Sequence, residues 1–160
     1  MKLKKENEIE PHNDSVYMTL KSKIVEFDKP TPKGYVYTKE CMEKAINADL
    51  VQENLERKLL MGEFFSIDNG PEDISILKME NISHNLRDLE IQSDGLYGSI
   101  DILKTEYGRM AQDMIKDSKD IRIYPRGIGE LLDDNKTINP ETYELISFDL
   151  WDYSLLENLK

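Results

Sequence analysis

Two alternating apolar runs flank a Ser-Asp-Gly turn in the middle of the chain, and this pattern constrains the fold more than any other feature. Ile74 to Ile91 reads as extended, with Ile82, His84 and Leu86 on one face. After the turn at Gln92 to Gly95, the positions Leu96, Gly98, Ile100 and Ile102 point one way. Side chains of period two on either side of so short a turn predict a β-hairpin, which is antiparallel by construction. An earlier run, Val16 to Phe27, alternates at Val16, Met18 and Leu20 and then shifts phase. It predicts a half-buried strand with a bulge near Val25.

Helical spacing occurs in two places. From Thr38 to Met61, the residues Met42, Ala45, Ile46, Val51, Leu55 and Leu59 mark one face. Thr38 is the expected N-cap, a break is expected near residue 48, and Gly62 is the expected stop. The segment from Phe64 to Asp73 reads as irregular around the turn Asn69-Gly70-Pro71. Thr105 to Ser118 is the second helix, with Tyr107, Met110, Met114 and Ile115 on its expected buried side. A short strand from Ile121 to Tyr124, a glycine-bearing corner and a strand from Glu141 to Leu150 complete the chain. This order predicts an α+β fold, a mainly antiparallel sheet or barrel with two principal helices. The charged residues 1–14 read as a flexible, solvated tail, and residues 15–160 as a single domain.

Composition removes several function classes. Asp and Glu number 32 against 21 Lys and Arg, for a net charge of -11. That balance excludes coating of nucleic acid, which needs clustered cations. No apolar run approaches the roughly 20 residues of a membrane span, and the charged start lacks the apolar segment of a secretory signal. A soluble intracellular protein is expected. Cys41 is the single cysteine, so no internal disulfide or multi-cysteine zinc site forms. His12 and His84 lack partners at metal-ligand spacing. Asp133-Asp134-Asn135 opens like a calcium loop, but the later glycine and glutamate are missing. Gly127-Ile-Gly129 lacks the ending of a P-loop. No metal and no cofactor are expected.

Nucleophiles remain. Ser66, Ser83, Ser99, Ser147 and Cys41 are present, and a serine needs a base, usually histidine. His84 is the histidine inside the expected fold. Beside Ile82 and Leu86 it reads first as a hydrogen-bonded core residue. Ser83 is adjacent to it on a strand, so the two side chains are expected on opposite faces. The peptide Ile123-Tyr-Pro-Arg-Gly-Ile-Gly129 combines a proline, a fixed charge and two glycines. Two readings stand: a corner that holds an anion through its backbone, or a turn whose arginine is tied to a carboxylate.

Several blocks together resemble, in the same order, the prohead (capsid maturation) proteases of tailed bacteriophages of the T-even type, distant relatives of the herpesvirus assemblin proteases. Gly34-Tyr-Val-Tyr-Thr-Lys-Glu-Cys-Met-Glu-Lys-Ala45 resembles the family's entry to its first helix. Met61-Gly-Glu-Phe-Phe-Ser66 is similar to its Gly-Glu-Leu-Asn/Asp-His-Pro segment. Asn81-Ile-Ser-His84 and Tyr97 to Gly108 resemble its central hairpin and second helix. Ile123 to Gly129 is similar to its Val-Ser-Ser-Arg-Gly-Leu-Gly, and Leu145 to Leu150 to the strand that follows. The blocks span residues 34 to 150.

The resemblance implies a herpesvirus-protease-like fold and a role in head assembly, with the two catalytic positions replaced. The family's catalytic histidine falls on Ser66 and its nucleophilic serine on Tyr124. Arg126 and Gly127, on the oxyanion side, are kept, and by the same resemblance His84 matches the third member of a triad. A phenol is a poor acyl-transfer nucleophile at neutral pH, and its activating base is missing here. The expectation is therefore a non-catalytic homologue, a pseudoenzyme that serves as a scaffold- or capsid-associated or regulatory component, with phage scaffold or major capsid protein, or a second copy of itself, as expected partners, in the host cytoplasm and within the prohead or virion. The alternatives are an active serine endopeptidase with a rearranged site, or a small acidic binding module. For the last, residues 130–160 carry eight acidic and two basic side chains. Trp151 and Tyr153 are expected in the core.

Overall fold

The computed structural model describes residues 1–11 and 13–157, with the side chain of Glu157 excepted; His12 and residues 158–160 lie outside the described residues. Among the described residues the strands are β1 (Glu8–Ile9), β2 (Val16–Glu26), β3 (Met61–Ser66), β4 (Ile82–Ile91), β5 (Gly95–Leu103), β6 (Ile121–Ile128) and β7 (Glu144–Asp152). The helices are α1 (Lys39–Ile46), α2 (Asp49–Glu56), α3 (Glu106–Lys116) and the short α4 (Ser154–Glu157). The strands form one sheet in the order β1-β2-β5-β4-β3-β7-β6. Every pairing is antiparallel except β3 with β7. The α+β class holds, and the sheet is mixed rather than wholly antiparallel.

The hairpin lies where the sequence places it, as β4 and β5 paired from His84↔Ile102 to Ile91↔Leu96. β2 pairs with β5 and shifts register between Lys23 and Val25, the expected bulge. Met18, Ile102 and His84 form one row of the inward face, and Leu20, Ile100 and Leu86 the next; all are fully buried. Thr38 caps α1 by accepting from the Cys41 N–H at 3.1 Å. The break at residue 48 is real: Ala48 is extended, so the single long helix of the sequence reading is two helices.

Four expectations need correction. Gly62 does not stop a helix; it lies within β3. That strand is paired in parallel to β7, through Phe64↔Leu150, Phe65↔Trp151 and Ser66↔Asp152. Residues 74–81 are a loop with a short 3-10 turn rather than part of β4. Met110 does not pack inward on α3. It is 45% exposed, and the buried side is Gly108, Ala111 and Ile115. The peptide Ile123 to Ile128 is not a corner: β6 runs straight through Pro125, which pairs with Phe148.

The reason Pro125 is tolerated is positional. β6 is an outer strand of the sheet. Ile121 and Ile123 turn their backbone groups away from β7: the Leu3 N–H donates to the Ile121 carbonyl, and the Ile123 N–H donates to the Met1 carbonyl. Two residues on, Pro125 faces the same way, so its missing N–H falls on the open edge and removes no ladder bond.

These same bonds overturn the solvated tail over residues 1–14 at its start. Leu3 is 1% exposed and belongs to the core. The first residues dock on β6, and a few residues later β1 pairs with β2. One short stretch thus covers both outer strands and draws the sheet toward a barrel, removing edges that invite association.

Candidate functional site

The positions singled out by sequence lie on β3, β4, β6 and β7, and alternation sorts them onto two faces. Phe64, Leu150 and Ile123 share a row that faces the core. The adjacent row, Phe65, Trp151 and Arg122, faces outward. Glu63, Asp149, Tyr124 and Arg126 belong to that outward face. Of the two positions that the resemblance sets as catalytic, Tyr124 lies on this face and Ser66, next to Phe65, on the other.

Ser66 and Tyr124 are not brought together. Ser66 shares its row with Asp152 and Ile121. Tyr124 lies two strands away and three residues further along β6, on the order of 13 Å from Ser66. The outward face that carries Tyr124 is covered by aromatic side chains. Trp151 packs on Phe65, with ring centroids 5.1 Å apart, and the Lys33 ammonium sits 5.2 Å above the indole. Tyr124 meets Tyr153 edge-on at 6.2 Å, and the Arg122 guanidinium covers the Tyr153 ring at 4.1 Å. Trp151 and Tyr153 are therefore half-buried parts of this outer cluster and not core residues, as the sequence reading had them. The Ser66 hydroxyl donates to Asp68 at 2.6 Å, a local turn bond. Among the described residues, no histidine is within its reach.

Arg126 is buried and its donors are committed. Its Nε donates to Asp149 Oδ2 at 2.7 Å, and Nη2 donates to Asp149 Oδ1 at 3.1 Å and to Glu63 Oε2 at 2.7 Å. Nη1 donates to the Ile76 carbonyl at 3.0 Å, tying down the loop between β3 and β4. Burial works against the Arg126 charge, and the hydrogen bonds from Asp149 and Glu63 outweigh it, so its pKa is raised. Burial pushes the Asp149 carboxyl up, while the same arginine pulls it down. Two guanidinium bonds and the Glu63 N–H, at 3.1 Å, all donate to Asp149, the environment of a carboxylate. Of the two readings left open above, the arginine tied to a carboxylate is the one seen. Gly127 is also structural. A Cβ there would lie 2.4 Å from the Tyr143 ring, so the glycine makes room for that packing at the bulge after Arg126.

His84 faces inward, fully buried. Its Nε2 lies 2.7 Å from the Phe148 carbonyl, which can only accept, so the proton sits on Nε2. Nδ1 is then the acceptor, and the Ser83 hydroxyl donates to it at 2.7 Å. This corrects the expectation that adjacent residues on a strand cannot pair. β4 carries a bulge here: Gly62 opposes His84 while Glu63 opposes Ile82, so Ser83 is the extra residue and the alternation is locally broken. The pair has the donor and acceptor order of a serine activated by a base. It is also sealed, since both residues are 0% exposed. Burial pushes the imidazole down to about 4, which the Phe148 carbonyl only partly opposes. Ser66 lies four residues along β3 from Gly62, the partner of His84, a separation of roughly 13 Å.

The buried neutral imidazole has a measurable consequence. The unfolded chain binds a proton at the ordinary value of 6.5, and the folded one only near 4. Between these values the unfolded state holds more protons, so stability falls as pH drops. His84 is expected to remove about 3 kcal/mol of stability between pH 6.5 and pH 4. Urea midpoints across that range check it, with His84→Gln as the reference. A His84→Gln profile as steep as the wild type would assign the loss elsewhere.

A second feature of this region is a cleft of about 470 Å³ at the end of β3, lined by Phe65, Ser66, Ile76, Tyr107, Met110 and Asp152 among others. Sequence reasoning missed it because its walls come from β3, the following loop and α3, none adjacent in sequence.

No protein-family model matches this sequence, and no curated protein matches it. Among solved structures, the chain is similar to the capsid assembly protease of bacteriophage T4. The TM-score is 0.70 at 18% sequence identity, covering 84% of this chain and 81% of that one. The sheet that carries Tyr124 and the Arg126 cluster on its outer face, and Ser66 on the opposite face at the end of β3, thus belongs to a chain with the fold of a phage capsid assembly protease.

Proposed function

We propose that this chain is a phage head-assembly protein that keeps the protease fold without its chemistry and works within the prohead by binding scaffold or capsid protein. The observation that carries the reading is the state of the outer face. The fold resembles that of a capsid assembly protease; the sequence resemblance sets the family's pair at Ser66 and Tyr124, which lie on opposite faces of the sheet, with Tyr124 packed on Tyr153 in the aromatic cluster. Arg126, which the resemblance sets beside an oxyanion, spends its donors on Asp149, Glu63 and a carbonyl. With both the nucleophile and its base replaced, only the residual catalysis of binding and oxyanion contacts would remain.

The test is a cleavage assay. The purified chain is incubated with itself and with the scaffold and capsid proteins encoded beside it, and products are read by intact mass. The expected result is no discrete fragment, together with co-purification of a scaffold or capsid protein. Discrete fragments from the wild-type chain would overturn the reading. One observation favours a second reading, an endopeptidase with a rearranged site: the Ser83 hydroxyl lies 2.7 Å from His84 Nδ1. Its signature is fragments that vanish in both Ser83→Ala and His84→Ala. The sealed position of both residues weighs against it, since a scissile carbonyl must reach the hydroxyl.

A further inference from the structure

We infer that the cleft between the end of β3, the loop at residues 67–81 and α3 docks a basic, partly apolar protein segment and seats one of its lysine or arginine side chains. This rests on the assembly reading only in calling the partner a head protein; the chemistry of the cleft stands without it.

The cleft has a volume of about 470 Å³, enough for a long side chain and its flanking backbone. Phe65 and Tyr107 form its walls. One turn along α3, Met110 lines the cleft at 45% exposure, as does Ile76 of the loop at 57%. A flexible methionine in such a lining suits the aliphatic part of a varied partner side chain.

Charge selects the occupant. The lining carries Glu63, Glu72, Asp73 and Asp152 against one cation, Lys78. Lys78 is 3.4 Å from Glu72, and Glu63 is matched by Arg126. Among the described residues, Asp73 and Asp152 have no cationic partner within salt-bridge distance. Each is held in place by its Oδ1, which accepts from Ser75 or Ser154 in a tight turn. An acidic segment is repelled there, and a cation is attracted. Aromatic walls take the aliphatic stem of a lysine or arginine and attract its charged end. The overall charge of -11 adds long-range attraction for the same kind of partner.

The experiment uses two capped peptides, Ser-Leu-Lys-Leu-Ser and its twin with glutamate in place of lysine. Binding to the purified full chain is measured by calorimetry at low and moderate salt. The lysine peptide is expected to bind at least about tenfold more tightly than the glutamate twin. Asp73→Asn combined with Asp152→Asn should weaken it by about tenfold, because asparagine keeps both turn bonds and removes both charges. Equal affinity for the two peptides, no binding up to millimolar concentration, or unchanged binding in the double variant would each overturn the inference. The peptides are read on the chain alone, so this result is independent of whether a scaffold or capsid protein co-purifies.

Discussion

Arg126→Leu is expected to lower the unfolding free energy by about 3–5 kcal/mol, the range for breaking a buried ion pair by deleting one partner. The guanidinium is the cation between Glu63 and Asp149, and all three side chains are 3% exposed or less. Its removal leaves two carboxyl groups facing each other away from water, and it also frees the Ile76 carbonyl. Urea unfolding measures the effect. Arg126→Lys should recover only part of it, because a lysine cannot make the two-pronged contact with Asp149. Replacing Arg126, Glu63 and Asp149 together by apolar residues of similar volume should lie closer to the wild type than Arg126→Leu does, since no charge is then stranded. A loss below about 1 kcal/mol in Arg126→Leu would show that the cluster is hydrated and worth no more than a surface pair.

Gly62→Ala is expected to cost about 3 kcal/mol or more, at the upper end for an overpacked site. A Cβ at residue 62 would lie 1.9 Å from the Phe148 carbonyl oxygen and 2.5 Å from His84 Nε2. The imidazole reaches past this glycine to bond the Phe148 carbonyl, so β4 is tied to β7 across β3 only because position 62 has no side chain. One contact is backbone, which cannot rotate away. Adding His84→Ala to Gly62→Ala is therefore expected to leave the variant destabilised. Full recovery in that pair would mean that the ring was the only obstacle. Gly34→Ala is the control for backbone strain alone. Gly34 has φ 87° with nothing within 4 Å of its missing Cβ, and its cost should be about 1 kcal/mol.

The candidate site was legible in sequence as residues and not as geometry. His84, Arg126 and Gly127 can be picked out by type and setting, and Ser66 and Tyr124 as site positions only through the resemblance. Their partners cannot, because each is fixed by a pairing far away in the chain. Arg126 meets Glu63 over 63 positions, and His84 meets Phe148 over 64. Period-two reasoning fails for Ser83 and His84 because a bulge adds a residue to one strand, and a bulge leaves little local trace. It fails for Pro125 because a proline is compatible with a strand only at an outer position, and strand order is a property of the whole sheet.

By itself the sequence determined the elements whose energetics are local. The hairpin of β4 and β5 follows from alternation about a tight turn. The cap at Thr38 follows from a hydroxyl placed before a free N–H, and the break between α1 and α2 from weak helix formers near residue 48. Only the tertiary structure decided that β3 is a strand, because its parallel pairing with β7 joins residues more than eighty positions apart. It alone decided that Leu3 is core, and that the outer face around Tyr124 holds a packed aromatic cluster and an arginine bound to two carboxylates and a carbonyl. The physical reason is common to all of these. Burial and long-range pairing are set by what the rest of the chain brings to a position, and local pattern records only what a segment offers.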